Sequence, residues 1–258
     1  MMENKFREFE ELHQMNDPLL IGNAWDMQSA RIFEQKNFKA IATSSAAVAA
    51  TLGYADEQEI KFDEYLYLIK RIACSVNIPF SVDLEGGYGN TAMEICANII
   101  ALHEAGVCGI NIEDSVVTDG RRNIVKPEAF AEKLRQIVQL LHAGNINMFI
   151  NVRCDSFLLG LPDAPEDALR RIKLYSNTGV NGLFFPCITS IEDIQKVTEN
   201  STLPVNVMCM PGLPDFDHLK KAGVKRISIG PFLNKKIYLQ MESAVNRIIA
   251  DGNFNCLF

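Results

Sequence analysis

Ser81-Val-Asp-Leu-Glu-Gly-Gly-Tyr-Gly-Asn90 changes character halfway along. It continues an apolar run from Ile78 with the β-branched and aromatic bias of a buried strand. Asp83 and Glu85 then stand two residues apart, a spacing that on a strand puts both carboxylates on one face. Like charges that close repel unless a cation or proton lies between them, so the spacing predicts a divalent-metal site. Gly86, Gly87 and Gly89 predict a turn that lets backbone approach a ligand. Thr91 and Glu94 have the spacing of a capping box opening a helix. The unit is strand, glycine turn, helix, with acids where the strand ends.

The same unit recurs on both sides of it. Strands are expected at 19–24, 38–44, 78–83, 108–114, 148–155, 182–187, 204–209 and 226–230, with apolar-periodic helices between most of them. Asp26, Pro127 and Ser190 sit where helices should begin, and Gly106 and Gly179 where they should end. Eight strands alternating with helices predict a (β/α)8 TIM barrel occupying residues 1–258 as a single domain. A doubly wound sheet gives the same alternation. The barrel is favoured by where the unusual polar residues fall. Ser44, Asp83, Glu85, Glu113, Arg153 and Asn206 all lie at or near strand C-terminal ends, which a barrel gathers on one rim.

Composition narrows the function classes. With 48% hydrophobic residues the 258-residue chain can bury a sizeable core, and no apolar run approaches the ~18 residues of a membrane span. A net charge of −7 argues against nucleic acid as a partner. The charged opening Met1-Met-Glu-Asn-Lys-Phe-Arg-Glu lacks the apolar segment of a signal peptide. The seven cysteines form no C-x-x-C pair and sit mostly in apolar segments, which predicts buried reduced thiols in a cytoplasmic protein.

Asp83, Glu85 and Glu113, with Asp56 from the loop after the second strand, offer four carboxylates. Such oxygen-rich sets suit hard cations, and Mg²⁺ keeps several waters while taking few direct protein ligands. Arg153 could clamp a substrate carboxylate bidentately, or pair with Asp155 or Glu113. Ser44, Ser45 and Ala46 stand where hydroxyls or backbone N–H groups could meet a second anionic group, or simply make a tight turn. Asn206 is expected among the substrate-binding residues.

Six motifs in order bring a family into view: Thr43-Ser-Ser-Ala46, Leu52-Gly-Tyr-Ala-Asp56, Val82-Asp-Leu-Glu-Gly-Gly-Tyr-Gly89, Gly109-Ile-Asn-Ile-Glu-Asp114, Asn151-Val-Arg-Cys-Asp155 and Leu203-Pro-Val-Asn-Val207. Together they resemble the isocitrate lyase/phosphoenolpyruvate mutase superfamily over nearly the whole chain. The resemblance implies a TIM barrel with the last helix exchanged between subunits, assembled as a dimer of dimers. It also implies a Mg²⁺ site for small 2-keto or 2-hydroxy carboxylates, with chemistry through an enolate of pyruvate type. On that pattern Asp83 is the direct metal ligand, and Asp56, Glu85 and Glu113 reach the metal mainly through water. Glu85 stands where many members have Asp. Arg153 clamps the substrate carboxylate, and Ser44, Ser45 and Ala46 bind its anionic end.

The loop at 115–126 departs from the family patterns. It has neither the Lys-Lys-Cys-Gly-His type motif of isocitrate and methylisocitrate lyases nor most of the mutase lid, though Asp119-Gly-Arg121 remains. The expected activity is therefore a Mg²⁺-dependent C–C bond lyase or decarboxylase of an oxaloacetate-like acid, with Asp56, Glu113 and Arg153 as catalytic residues. A P–C bond enzyme and a non-catalytic keto-acid-binding barrel are the alternatives. Water, Tyr88 or Cys187 could serve as proton donor, Cys187 being the more easily explained as a packed core thiol.

Overall fold

Strands that are apolar on both faces must be covered on both sides, and here the covering is a ring of helices outside and packed side chains within. The computed structural model describes residues 2–54, 60–118 and 120–258. After helix α1 (Met2–Gln14), the chain alternates β1 (Leu19–Ala24), α2 (Met27–Gln35), β2 (Ile41–Thr43), α3 (Ser45–Thr51), α4 (Phe62–Ala73), β3 (Phe80–Asp83), α5 (Ala92–Glu104) and β4 (Gly109–Glu113). A hairpin, β5 (Ser115–Thr118) and β6 (Arg121–Ile124), precedes α6 (Pro127–Ala143) and β7 (Phe149–Arg153). Then come α7 (Ala164–Tyr175), β8 (Gly182–Phe184), α8 (Ile191–Glu199), β9 (Val205–Met208), α9 (Phe216–Lys221), β10 (Arg226–Ser228) and α10 (Phe232–Asp251).

The eight strands outside the hairpin are parallel and close in the order β1-β10-β9-β8-β7-β4-β3-β2. Closure is explicit: β1 pairs with β2 on one side and β10 on the other, so the doubly wound sheet is excluded. The expected boundaries shift inward at most strands. Much of one expected loop is replaced, because Ser115–Thr118 and Arg121–Ile124 pair as an antiparallel hairpin registered Ser115↔Ile124 and Val117↔Arg122.

The expected helix starts hold. Asp26 caps α2 through its carboxylate, and Thr91 with Glu94 forms the full capping box of α5. The glycine turn before α5 is needed for close packing: a Cβ on Gly87, whose φ is +102°, would come within 2.7 Å of Ile95. Between barrel and helices lies the main apolar core, including Ile69, Val82, Ile110, Val152 and Ile172.

Register layers the barrel interior. Its lower end is apolar, with Leu19, Ile21, Ala42 and Phe149 packed beneath α1, whose Phe9 plugs the barrel. A Cβ on Gly109 would strike the Phe9 ring at 2.7 Å. His13 stacks on Phe149 at 4.2 Å and donates through Nδ1 to the Phe9 carbonyl. Burial, and then Arg226, pushes its pKa down to about 3. The middle layer is polar: Asn151 donates to Asn111 and Asn206, and Asn206 donates to Ser228. The top layer carries Asp83, Glu113 and Arg153. The thiols are less uniformly buried than expected. All seven are free, but Cys74 and Cys209 are exposed, Cys187 and Cys256 intermediate, and only Cys96, Cys108 and Cys154 buried.

Candidate active site

Over the C-terminal ends of the strands lies a cavity of about 820 Å³. Its walls include Ser44, Ser45, Ala46, Asp83, Glu85, Glu113 and Arg153, so seven of the expected site residues converge there. Asp56 lies outside the described residues. Asn206 is brought elsewhere: it sits buried in the middle layer of the barrel, bonded to Asn151, Ser228 and backbone, and does not line the cavity.

Asp83 ends β3 and is fixed by a closed ring of hydrogen bonds. Its N–H donates to Thr43 Oγ1 at 2.8 Å, and Thr43 and Tyr65 hydroxyls lie 3.0 Å apart. The Tyr65 hydroxyl donates back to the Asp83 carbonyl at 2.7 Å. Ser45 Oγ donates to Asp83 Oδ2 at 2.9 Å. The other carboxylate oxygen, Oδ1, is buried and has no hydrogen-bond partner among the described residues. A buried anionic oxygen without a partner is costly, so its environment is that of a cation ligand.

Glu85 reaches the cavity by a different route from the expected strand alternation. The strand stops at Asp83, and Glu85 sits in the turn beyond it with φ +50°, an uncommon backbone region for a side chain with a Cβ. Burial, then Asp83 and Glu113, pushes its pKa up to about 7. Tyr88, also at positive φ, lines the same wall and stacks on Tyr65 at 5.5 Å. Its buried hydroxyl has no hydrogen-bond partner among the described residues. Burial and the nearby carboxylates raise its pKa, keeping it a phenol.

Glu113 and Arg153 are joined across adjacent strands at 2.9 Å. Arg153 also donates through Nε to Asp155 at 2.6 Å. Both ion pairs weighed for Arg153 therefore form, while its guanidinium still faces the cavity. Burial works against its charge, but Glu113, Asp155 and Asp83 more than offset this and hold its pKa up. The hairpin supplies a second guanidinium that the sequence reading missed. Arg122 Nη1 donates to Glu113 Oε1, to Ser115 Oγ at 2.8 Å and to Asp155 Oδ2 at 3.3 Å. Glu113 is thus held between two arginines, one on each oxygen. Its pKa is nonetheless raised, burial outweighing them. The signal for Arg122 was strand alternation inside 115–126, invisible while that segment was read as a loop.

Among the described residues, no three Asp, Glu, His or Cys side chains are arranged to hold one metal ion directly. The residues fit a hard cation such as Mg²⁺ in kind: Asp83 Oδ1 is open, and Glu85 and Glu113 line the same cavity.

A closed parallel barrel with an acidic, arginine-clamped cavity at its C-terminal rim defines an enzyme scaffold of the kind whose active sites lie there. Residues 9–249 match the phosphoenolpyruvate phosphomutase family, and the chain belongs to the isocitrate lyase/phosphoenolpyruvate mutase superfamily. It is 30% identical, over 95% of its length and 89% of the relative's, to an uncharacterized protein of Mycobacterium tuberculosis. It is 31% identical to an oxaloacetate decarboxylase of Bradyrhizobium, over 71% of its own length and 64% of that enzyme's. A crystal structure from Burkholderia cenocepacia, described as a candidate lyase/mutase, superposes with a TM-score of 0.92 at 30% identity, over 99% of this chain and 92% of that one.

Proposed function

We propose that this chain is a Mg²⁺-dependent enzyme that breaks a C–C bond in a small 2-keto or 2-hydroxy carboxylic acid, with decarboxylation of oxaloacetate as the best-fitting reaction. The observation that carries the reading is Asp83 Oδ1, a buried carboxylate oxygen left open in a cavity that also contains two arginines. The superfamily acts on small carboxylic acids, and relatives at about 30% identity are oxaloacetate decarboxylases. A relative in fold, phosphonopyruvate hydrolase, was solved with oxalate and Mg²⁺.

When bound, Mg²⁺ supplies a Lewis acid that stabilises the enolate left as the bond breaks. Asp83 would hold the ion directly, with Glu85, Glu113 and Asp56 around its water shell. Ser45 orients Asp83 through its hydroxyl. Arg153 positions the carboxylate next to the reacting carbonyl, where bidentate pairing sets direction as well as affinity. Tyr88 holds a proton on the cavity wall, and it or water is the proposed source of one for the carbanionic carbon.

The test is pyruvate release from oxaloacetate above the uncatalysed rate, abolished by EDTA and restored by Mg²⁺. Asp83→Asn should weaken Mg²⁺ binding more than about 100-fold, beyond the usual cost of losing a residue that only supports a ligand. No turnover of oxaloacetate, dimethylmalate or methylisocitrate, with Mg²⁺ binding unchanged in Asp83→Asn, would sink the reading and leave a non-catalytic barrel. Phosphate release from phosphonopyruvate would move the chain to P–C chemistry, the reaction after which the matching family is named.

The assembly proposed is a dimer of dimers with α10 exchanged between subunits. α10 leaves Tyr238, Leu239, Met241 and Ile249 each at least half exposed, a wide apolar stripe on a 20-residue helix. Seven free thiols fit a cytoplasmic setting, and among the described residues no helix is long and apolar enough to cross a membrane.

A further inference from the structure

The hairpin over the cavity carries adjacent arginines that the strand alternation separates. Arg121 faces out and is exposed, whereas Arg122 faces the barrel mouth beside Val117, its registered partner, with its side chain 17% exposed. Placing a guanidinium on the inner face costs desolvation that a hairpin does not need for its own pairing. Glu113 and Asp155 on the barrel rim, with Ser115 at the foot of β5, offset part of that cost and tie Arg122 to the active site. Arg122 lines the cavity together with Val116, Val117 and Thr118. Arg153 and Asp83 come up from the barrel below, and Arg122 enters from the hairpin, sharing Glu113 and Asp155 with Arg153.

We propose that Arg122 is a specificity-determining residue: it binds the carboxylate at the end of the substrate remote from Asp83, so that the site selects four-carbon diacids over acids with no distal carboxylate. The inference rests on the keto-acid reading above and adds the group that reads the second charge. A substrate carboxylate clamped by Arg153, beside the ion that Asp83 would hold, would leave the rest of a short chain to reach the hairpin wall of the same cavity. There the Arg122 guanidinium can exchange a bond to Glu113 or Asp155 for one to substrate, keeping its charge paired throughout.

The test compares two ligands in the presence of Mg²⁺ by calorimetry. Oxalate has no chain or carboxylate beyond its chelating pair, while 3,3-difluorooxaloacetate has the full four-carbon length and resists bond cleavage. In Arg122→Gln the ratio of the two dissociation constants should shift about 10-fold or more against difluorooxaloacetate, the scale of one charged hydrogen bond. Arg122→Lys should restore part of the preference by keeping the charge. Equal losses for both ligands would overturn the proposal and make Arg122 a support for Glu113. Unchanged preference in Arg122→Gln would overturn it too. If the wild-type protein binds neither ligand with Mg²⁺, the keto-acid reading itself falls, a result distinct from the other two.

Discussion

Glu113 and Asp114 are neighbours in sequence and opposites in setting. Glu113 points into the barrel mouth, beside an aspartate with an open oxygen and between two arginines that border a cavity. Asp114 points outward into a cluster in which both of its oxygens are occupied. Its Oδ1 accepts from the Asp155 N–H at 3.0 Å, and its Oδ2 from Arg171 at 2.8 Å and Tyr175 at 3.0 Å. Arg171 in turn donates to Asp167 at 2.6 Å, and Ser156 donates to the same oxygen at 2.8 Å. Both regions bury carboxylates against guanidinium groups. The outer cluster is closed upon itself and ties β4 to α7, whereas the inner one keeps an acceptor open toward a cavity. Saturation, more than residue type, separates a structural charge cluster from a site that binds something.

Breaking the closed cluster should have the largest effect. Arg171→Met strands Asp114 and Asp167 in a buried setting, and loss of one partner from a buried pair costs about 3–5 kcal/mol. Urea unfolding of Arg171→Met should show a midpoint far below wild type. The same measurement on Asp83→Asn should show a change within about 1 kcal/mol, because its open oxygen loses no partner. Reversed sizes would mean that Asp83 is the structural residue and Asp114 the functional one.

Much of this contrast was legible in the sequence, and the part that was not has a physical reason. The barrel followed from eight apolar segments alternating with amphipathic ones, and from acids placed where strands end. Asp83, Glu113 and Arg153 were readable because strand ends in a barrel converge whatever the loops do. Glu85 was placed in the cavity for an incomplete reason, since the backbone turns to positive φ at that residue and leaves the strand. Asn206 was misjudged because the position along the barrel axis, not the identity of the strand, decides whether an inward side chain meets the cavity or the middle layer. Arg122 was missed because a four-residue strand with Arg, Arg, Asn and Ile carries no β signal of its own and pairs only through its partner. The closed cluster at Asp114 was also silent, since Arg171 lies 57 residues away and on a helix.

A third buried region, at the other end of the barrel, is less saturated than either: His13 Nε2 and Arg226 Nε and Nη1 have no hydrogen-bond partner among the described residues. His13 is held neutral there, its folded pKa about 3. In the unfolded chain it takes up a proton near pH 6.5. Between those values the unfolded state binds more protons, so stability falls as pH drops below about 6.5 and goes on falling until pH approaches 3. The slope contributed by this residue reaches about 1.4 kcal/mol per pH unit. His13→Phe should flatten the dependence of unfolding free energy on pH between 6 and 5 relative to wild type, a window fixed by these two pKa values. An unchanged slope would mean that the lower barrel admits the charged ring.

The smallest effect concerns the hinge between the two kinds of region. Asp83 N–H, Thr43 hydroxyl and Tyr65 hydroxyl each donate to the next group, and the last donation closes the ring on the Asp83 carbonyl. Such chains strengthen one another, so a saturated scaffold of backbone and hydroxyls carries the carboxylate whose own oxygen is unsatisfied. Tyr65→Phe removes one link and leaves the Asp83 carbonyl and the Thr43 hydroxyl without that partner. The expected loss in unfolding free energy is about 1–1.5 kcal/mol, the net scale of one buried hydrogen bond. Mg²⁺ affinity should fall with it, because the carboxylate direction is set by the backbone that the ring holds. If stability falls while metal affinity stays at the wild-type value, the ring is part of the core alone, and Ser45 orients Asp83 without it.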